Sequence, residues 1–210
     1  MNDPIDQRRR RFLENSAGAA AVGLAATIPL LPVGAYAQTG PRVRVQSRTP
    51  APVRPAPQWD ILEWINGDGG NVDKLRGKVI IIDFFQLWCP GCNKFSGPLM
   101  TYWQKKFAQS FDQESLKFIK IHTVFEGHNY QTVKRLKNYV REKGITIPVG
   151  VDRHRGERRV PETMKRYNTR GTPEMVIIDK DGMIRFQQFG YFEPHKVEPM
   201  IEALLNRKRV

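Results

Sequence analysis

Val79-Ile80-Ile81-Ile82-Asp83-Phe84-Phe85 is a nearly continuous apolar run. Such a run predicts a strand buried on both faces, at the centre of a sheet covered by helices. Ahead of it, residues 59–65 alternate their apolar positions and meet the turn cluster Asn66-Gly67-Asp68-Gly69-Gly70, which predicts an opening strand or hairpin. Behind it, Leu99, Met100, Trp103, Phe107 and Phe111 recur at three and four, the period of one buried helix face. Pro90 suits the first turn of that helix and Pro98 is expected to kink it. Residues 116–125 then read as a second strand, 131–143 as an amphipathic helix ended by Gly144, and 147–151 as a short third strand. A short helix is predicted at 160–167, a β-hairpin at 174–179 and 183–189 joined through Asp179-Lys180-Asp181-Gly182, and a closing helix at 194–206. Strand, helix, strand with such connections makes a parallel crossover, so the expected class is α/β, a central mixed sheet flanked by helices.

Residues 1–37 read as an address rather than as fold. Arg8-Arg9-Arg10-Arg11-Phe12-Leu13 carries a twin-arginine pattern, residues 17–33 are alanine-rich and mildly apolar, and Ala35-Tyr36-Ala37 is a small-residue cleavage site. A mature start at Gln38 follows. The apolar stretch 17–31 contains Gly18, Gly23 and Pro29 and is shorter than the roughly 20 residues that span a bilayer. An N-terminal membrane anchor left uncleaved is the alternative. Residues 38–57, with five prolines and four arginines, read as an extended tether, leaving 58–210 as one domain.

The chain carries a formal charge of +13, and +12 remains once residues 1–37, with four arginines and three acids, are removed. Nucleic acid would be the usual partner for such charge. A periplasmic destination argues against it and leaves anionic lipid headgroups, cell-wall polymers or acidic proteins as contacts. The run Arg153-His154-Arg155-Gly156-Glu157-Arg158-Arg159 reads as a solvated loop, with docking of an acidic partner as its sharper reading.

The two cysteines of the chain stand three apart in Trp88-Cys89-Pro90-Gly91-Cys92, between the apolar strand and the helix. A CxxC in that place is the geometry of thiol–disulfide exchange. Cys89, at the helix N-terminus, would be the nucleophile with a lowered pKa, and Cys92, one turn on, the resolving thiol. A structural clip is the alternative, but so short a loop stabilises weakly. Asp83, inside an apolar strand, should have a raised pKa and accept the Cys92 proton. Trp88 is expected to cover the site, and Trp59, Trp64 and Trp103 to fill core. His122, His128, His154 and His195 show no ligand spacing, so no metal is expected.

With the CxxC, the acid six residues before it and Tyr167-Asn168-Thr169-Arg170-Gly171-Thr172-Pro173 ahead of an apolar strand, residues 57–206 resemble the thioredoxin fold. The opening strand, the lead-in Val72-Asp73-Lys74-Leu75-Arg76-Gly77-Lys78 and the extra helix and strand at 131–151 are similar to its TlpA-type exported branch. The resemblance implies that Pro173 is a cis-proline beside the cysteines, that the backbone of Thr172 pairs with substrate, that Lys120 is the counter-charge of Asp83, and that Glu126 tunes the site. Pro90-Gly91 reverses the dipeptide of thioredoxin, and a proline after the first cysteine resembles glutaredoxins and disulfide oxidases. It implies a periplasmic thiol–disulfide oxidoreductase whose redox group is the Cys89–Cys92 disulfide, with no separate cofactor. Its partners would be cysteine-containing exported proteins and a membrane-linked thiol electron donor, with the protein itself a monomer. Alternatives are an oxidase or isomerase, a peroxiredoxin-like peroxide reductase, against which Ile82 and Gln86 stand seven and three residues before Cys89 where that family sets a proline and a threonine, and a Cu(I)-delivery module in which His195 assists Cys89 and Cys92.

Overall fold

In the computed structural model, residues 53–156 and 159–207 are described. The expected export signal, residues 1–37, and most of the expected tether lie outside them. Seven strands form one sheet: β1 (Arg54–Pro55), β2 (Ile61–Ile65), β3 (Val79–Phe85), β4 (Leu116–His122), β5 (Val149–Asp152), β6 (Glu174–Ile178) and β7 (Met183–Phe189). Their spatial order is β1-β7-β6-β3-β4-β5-β2. β3, β4 and β5 run parallel; the other neighbours pair antiparallel. The helices are a π-helical turn (Cys92–Ser96) running into α1 (Gly97–Lys106), then α2 (Ala108–Asp112), α3 (Val133–Glu142), α4 (Glu162–Tyr167) and α5 (Pro194–Asn206).

β3 is central and every one of its residues is buried. Successive side chains point to opposite faces. Val79 and Ile81 pack with Met100 and Trp103 of α1 and Ile201 of α5, whereas Ile80, Ile82 and Phe84 pack with Trp59 and Tyr167. Asp83 therefore points to the face that carries α1, the helix that follows the cysteines.

Three expectations are modified. Pro98 does not simply kink the helix. It has no N–H and crowds the preceding turn, and the backbone accommodates it through the π-helical turn, in which Gly97 N–H bonds the Cys92 carbonyl. The segment at 59–65 is the strand of the two forms expected: β2 is a single edge strand paired with β5. The end of the tether is not free of the fold, since Arg54 and Pro55 pair with Ile184 and Met183, and the Arg54 guanidinium bonds the Tyr167 carbonyl and Gln187 Oε1. Two arginines of the basic run 153–159 are anchored to the fold, although the segment stays exposed at Arg155, Gly156 and Arg159. Arg153 and Arg155, joined by Arg166, bond the Asp60 carboxylate at 2.8, 2.7 and 3.1 Å. These three cations hold Asp60 below the ordinary carboxylate range against the opposing effect of burial. Arg207 likewise pairs with Asp179 and Asp181. Trp59 and Trp103 are core as expected; Trp64 packs against the core from an edge and is half-buried.

β4 ends at His122, buried against the Phe85 ring with Nε2 3.2 Å from Gln131 Oε1. Burial disfavours the imidazolium and lowers its pKa from 6.5 to about 4. Between those values the unfolded chain binds a proton that the native state refuses, so stability falls as pH drops below about 6.5 and the loss is complete near 4. In denaturant melts at pH 7 and pH 5, the protein should lose roughly 2 kcal/mol more than its His122→Gln variant. An equal loss in both would show that His122 is not held neutral.

Candidate active site

Cys89 stands just ahead of the helix that opens at Pro90, at the end of the loop leaving β3. Its Sγ accepts a hydrogen bond from the Cys92 N–H at 3.2 Å and lies 3.4 Å from the Thr172 carbonyl oxygen. Cys89 is half-buried, and Cys92 is wholly buried. The two sulfurs share one proton unequally. The hydrogen bond from the Cys92 thiol, helped by the N–H groups of Cys92 and Gly91, outweighs partial burial and lowers the Cys89 pKa from 9 to about 6. Cys92 moves the opposite way, raised by that same hydrogen bond, by burial and by the negative charge of Asp83.

The Thr172–Pro173 peptide is cis. Its loop meets the CxxC so closely that a Cβ on Gly91 would lie 2.9 Å from the Pro173 ring. Glycine at 91 is thus a condition for the two segments to touch. Pro90 is exposed and lines the groove beside Cys89.

Asp83 is fully buried on β3, directly opposite Lys120 on β4, and Lys120 Nζ bonds its Oδ2. The parallel register selects Lys120 over Lys117, which pairs with Ile80. The carboxylate thus faces a buried ammonium rather than apolar side chains alone, and Nζ also lies 4.5 Å from the Phe85 ring. Asp83 Oδ1 has no hydrogen-bond partner among the described residues. It remains the one free acceptor of a buried acid whose field reaches Cys92.

Trp88 is 45% exposed and covers the site from above, stacked on Tyr130 with ring centres 6.0 Å apart. Glu126 is exposed and lines the same groove as Trp88 and Cys89. Sequence reasoning missed the supports beneath. Gln86 Oε1 accepts from Trp88 Nε1 and Gln131 Nε2, while Gln131 Oε1 accepts from the Leu87 N–H. Asn93 Nδ2 donates to the carbonyls of Leu87 and Cys89, and its Oδ1 accepts from Tyr139 Oη. Tyr139 is pushed up to about 12 by burial and the nearby negative charges of Asp83 and the cysteines, so it stays a phenol and a donor. The only sequence signal for these was a glutamine and an asparagine next to the CxxC, which a motif does not single out.

Among the described residues no group of three His, Cys, Asp or Glu side chains converges as a metal site would need. His195 pairs with Glu193. No helix among the described residues is long and apolar enough to cross a membrane.

The thioredoxin-like domain family matches residues 72–205. A thioredoxin-like superfamily protein of known crystal structure is 36% identical with a TM-score of 0.68, the match covering 74% of this chain and 99% of that one. A thiol-disulfide isomerase from Corynebacterium glutamicum is also 36% identical, with a TM-score of 0.65, covering 73% of this chain and 98% of the other. Protein DipZ of Mycobacterium bovis is 28% identical over 152 residues, which are 70% of this chain. The chain spans about 20% of the length of that curated relative.

Reaction of the reduced protein with iodoacetamide should modify Cys89 alone, with a rate that rises with pH through an inflection near 6 and levels off above about 7. An inflection near 9, or equal labelling of Cys92, would contradict the assignment.

Proposed function

This chain belongs to the thioredoxin-like family, and from that we propose that it is an exported thiol–disulfide oxidoreductase that reduces disulfides of other exported proteins through Cys89 and Cys92. The observation that carries the reading is the Cys92 N–H set 3.2 Å from the half-buried Cys89 sulfur. It marks the sulfur that is held ready as thiolate and the one that is held in reserve.

In the proposed reaction the Cys89 thiolate attacks one sulfur of the substrate disulfide. The S–S bond breaks and the departing thiolate takes a proton from solvent. Cys92 then attacks the Cys89 sulfur of the mixed disulfide, the second substrate thiolate leaves, and the Cys92 proton passes to Asp83. Two electrons move from the dithiol to the substrate, and the Cys89–Cys92 disulfide that remains needs a thiol electron donor to be reduced again. The Thr172 backbone, beside Cys89, would pair with an extended substrate segment, Pro173 and Gly91 keep that segment against the sulfur, and Lys120 holds Asp83 in place. Glu126, exposed in the groove that Cys89 also lines, would act on the substrate. Export rests on the twin-arginine pattern at residues 8–13 and the small-residue site at 35–37.

A second reading is favoured by the Cys92 N–H set against the Cys89 sulfur, which helps to lower its pKa to about 6. A stabilised thiolate favours the reduced form, which makes the dithiol a weaker reductant and suits disulfide isomerisation, in which the pair stays reduced. Both readings begin with the same attack by Cys89; in isomerisation a second thiol of the substrate, rather than Cys92, then displaces Cys89 and no net electrons move.

Cys92→Ala, expressed with its export signal, should accumulate mixed disulfides with other exported proteins, seen as higher bands on non-reducing gels that vanish with dithiothreitol. Cys89→Ala should show none. A Cys92→Ala protein with no adducts would overturn the resolving role of Cys92.

A further inference from the structure

Two aromatic rings flank Cys89, and each lies against a glycine. The Trp88 indole covers Gly127, where a Cβ would come within 2.3 Å of the ring, and the Phe189 ring covers Gly171, where a Cβ would come within 2.7 Å. Both rings stay open to solvent, at 45% and 37%. With Phe125 they line a groove of about 510 Å³ around Cys89 and Thr172. Apolar surface left exposed beside a reactive sulfur is a surface for an apolar side chain that the groove does not itself contain.

The groove is electrically lopsided. Glu126 precedes the glycine that seats Trp88, and Arg170 precedes the glycine that seats Phe189. Arg170 is the better placed of the two charges. Its backbone N–H bonds Glu174 Oε2 at 3.0 Å, and its guanidinium stacks 5.5 Å from the Phe189 ring centre. Glu174, beneath, also accepts from Gln187 Nε2. The Arg170 guanidinium makes no ion pair among the described residues, although the chain pairs Arg153, Arg155, Arg166, Arg185 and Arg207 with acids. A stacked guanidinium is partly ordered before anything binds, so less freedom is lost when it meets a carboxylate.

We infer that Arg170 determines substrate specificity: the groove takes an extended, cysteine-bearing segment with an apolar residue next to the cysteine and a carboxylate that reaches the Arg170 guanidinium. The inference rests on the exchange reading above and names its substrate class.

The test uses the reduced protein in single turnover. The probes are short peptides with one cysteine beside leucine, joined through a disulfide to 4-thiopyridine. Cys89 attacks the peptide sulfur and releases thiopyridone, which takes up a proton and is followed by absorbance. Cys92 then releases the peptide thiol and the protein keeps the Cys89–Cys92 disulfide. Aspartate or lysine is placed two residues before or two after the cysteine. Each rate is divided by the same protein's rate with neutral 4,4′-dipyridyl disulfide, so that a change in the dithiol itself cancels. At one of the two positions aspartate should outpace lysine by about fivefold at low salt, the scale of a single exposed ion pair, and the gap should close as salt is raised. Arg170→Lys should keep that preference, Arg170→Gln should remove it, and Arg170→Glu should reverse it. Equal rates for aspartate and lysine at both positions, or a preference that survives in Arg170→Gln and Arg170→Glu, would overturn the inference. Failure of the wild-type protein to reduce dipyridyl disulfide at all would overturn the exchange reading beneath it.

Discussion

The contact of Cys92 with the Cys89 sulfur, its N–H donating at 3.2 Å and its thiol alongside, is the interaction on which the rest of the site depends. It stabilises one thiolate by keeping the other sulfur protonated, and so divides two identical side chains into a nucleophile and a reserve. Everything around the pair reinforces that division. Cys89 stands at a helix start, where N–H groups point at it, while Cys92 is sunk into the core above a buried carboxylate. A buried Asp83–Lys120 pair is costly to desolvate and is weak evidence for stability on its own. Its position is more telling than its strength, because the paired register of β3 and β4 puts on the cysteine-bearing face a carboxylate oxygen that has no hydrogen-bond partner among the described residues.

Close approach is the second theme. Gly91 lets the Pro173 loop reach the CxxC, Gly127 lets Trp88 lie down beside Cys89, and Gly171 does the same for Phe189. Adding a methyl group at any of these positions would push a ring or a loop away from the sulfur. The glutamine and asparagine hydrogen bonds under the site fix the remaining backbone, with Gln86, Gln131 and Asn93 tying together the ends of β3, the turn after β4 and the first helical turn.

Much of this was legible in the sequence. The nearly apolar seven-residue run of β3 predicted a central strand, and the CxxC behind it a helix start, and the structure has both. Strong periodicity likewise gave α3 and α5, and the aspartate-glycine turn gave the β6–β7 hairpin. Other features were hidden for physical reasons. Arg54 and Pro55 look like tether because a two-residue strand carries no periodicity; their place is decided by partners more than a hundred residues away. Arg153 and Arg155 look like free charge because Asp60, which binds both, stands in another strand region of the chain. Lys117 and Lys120 could not be separated until the strand register was known, since a parallel pairing is set by long-range packing and not by local pattern. Arg170 and Phe189 come together only through the fold, one before the Pro173 loop and the other at the end of β7.

The most direct test of the account is to find which sulfur reacts first. The reduced protein is mixed with limiting glutathione disulfide, quenched with acid at short times and mapped by mass spectrometry. Glutathione should appear only on Cys89, briefly, and give way to the internal Cys89–Cys92 disulfide. An adduct on Cys92, or one on Cys89 that persists without closing, would contradict the division of roles from which every other part of the account follows.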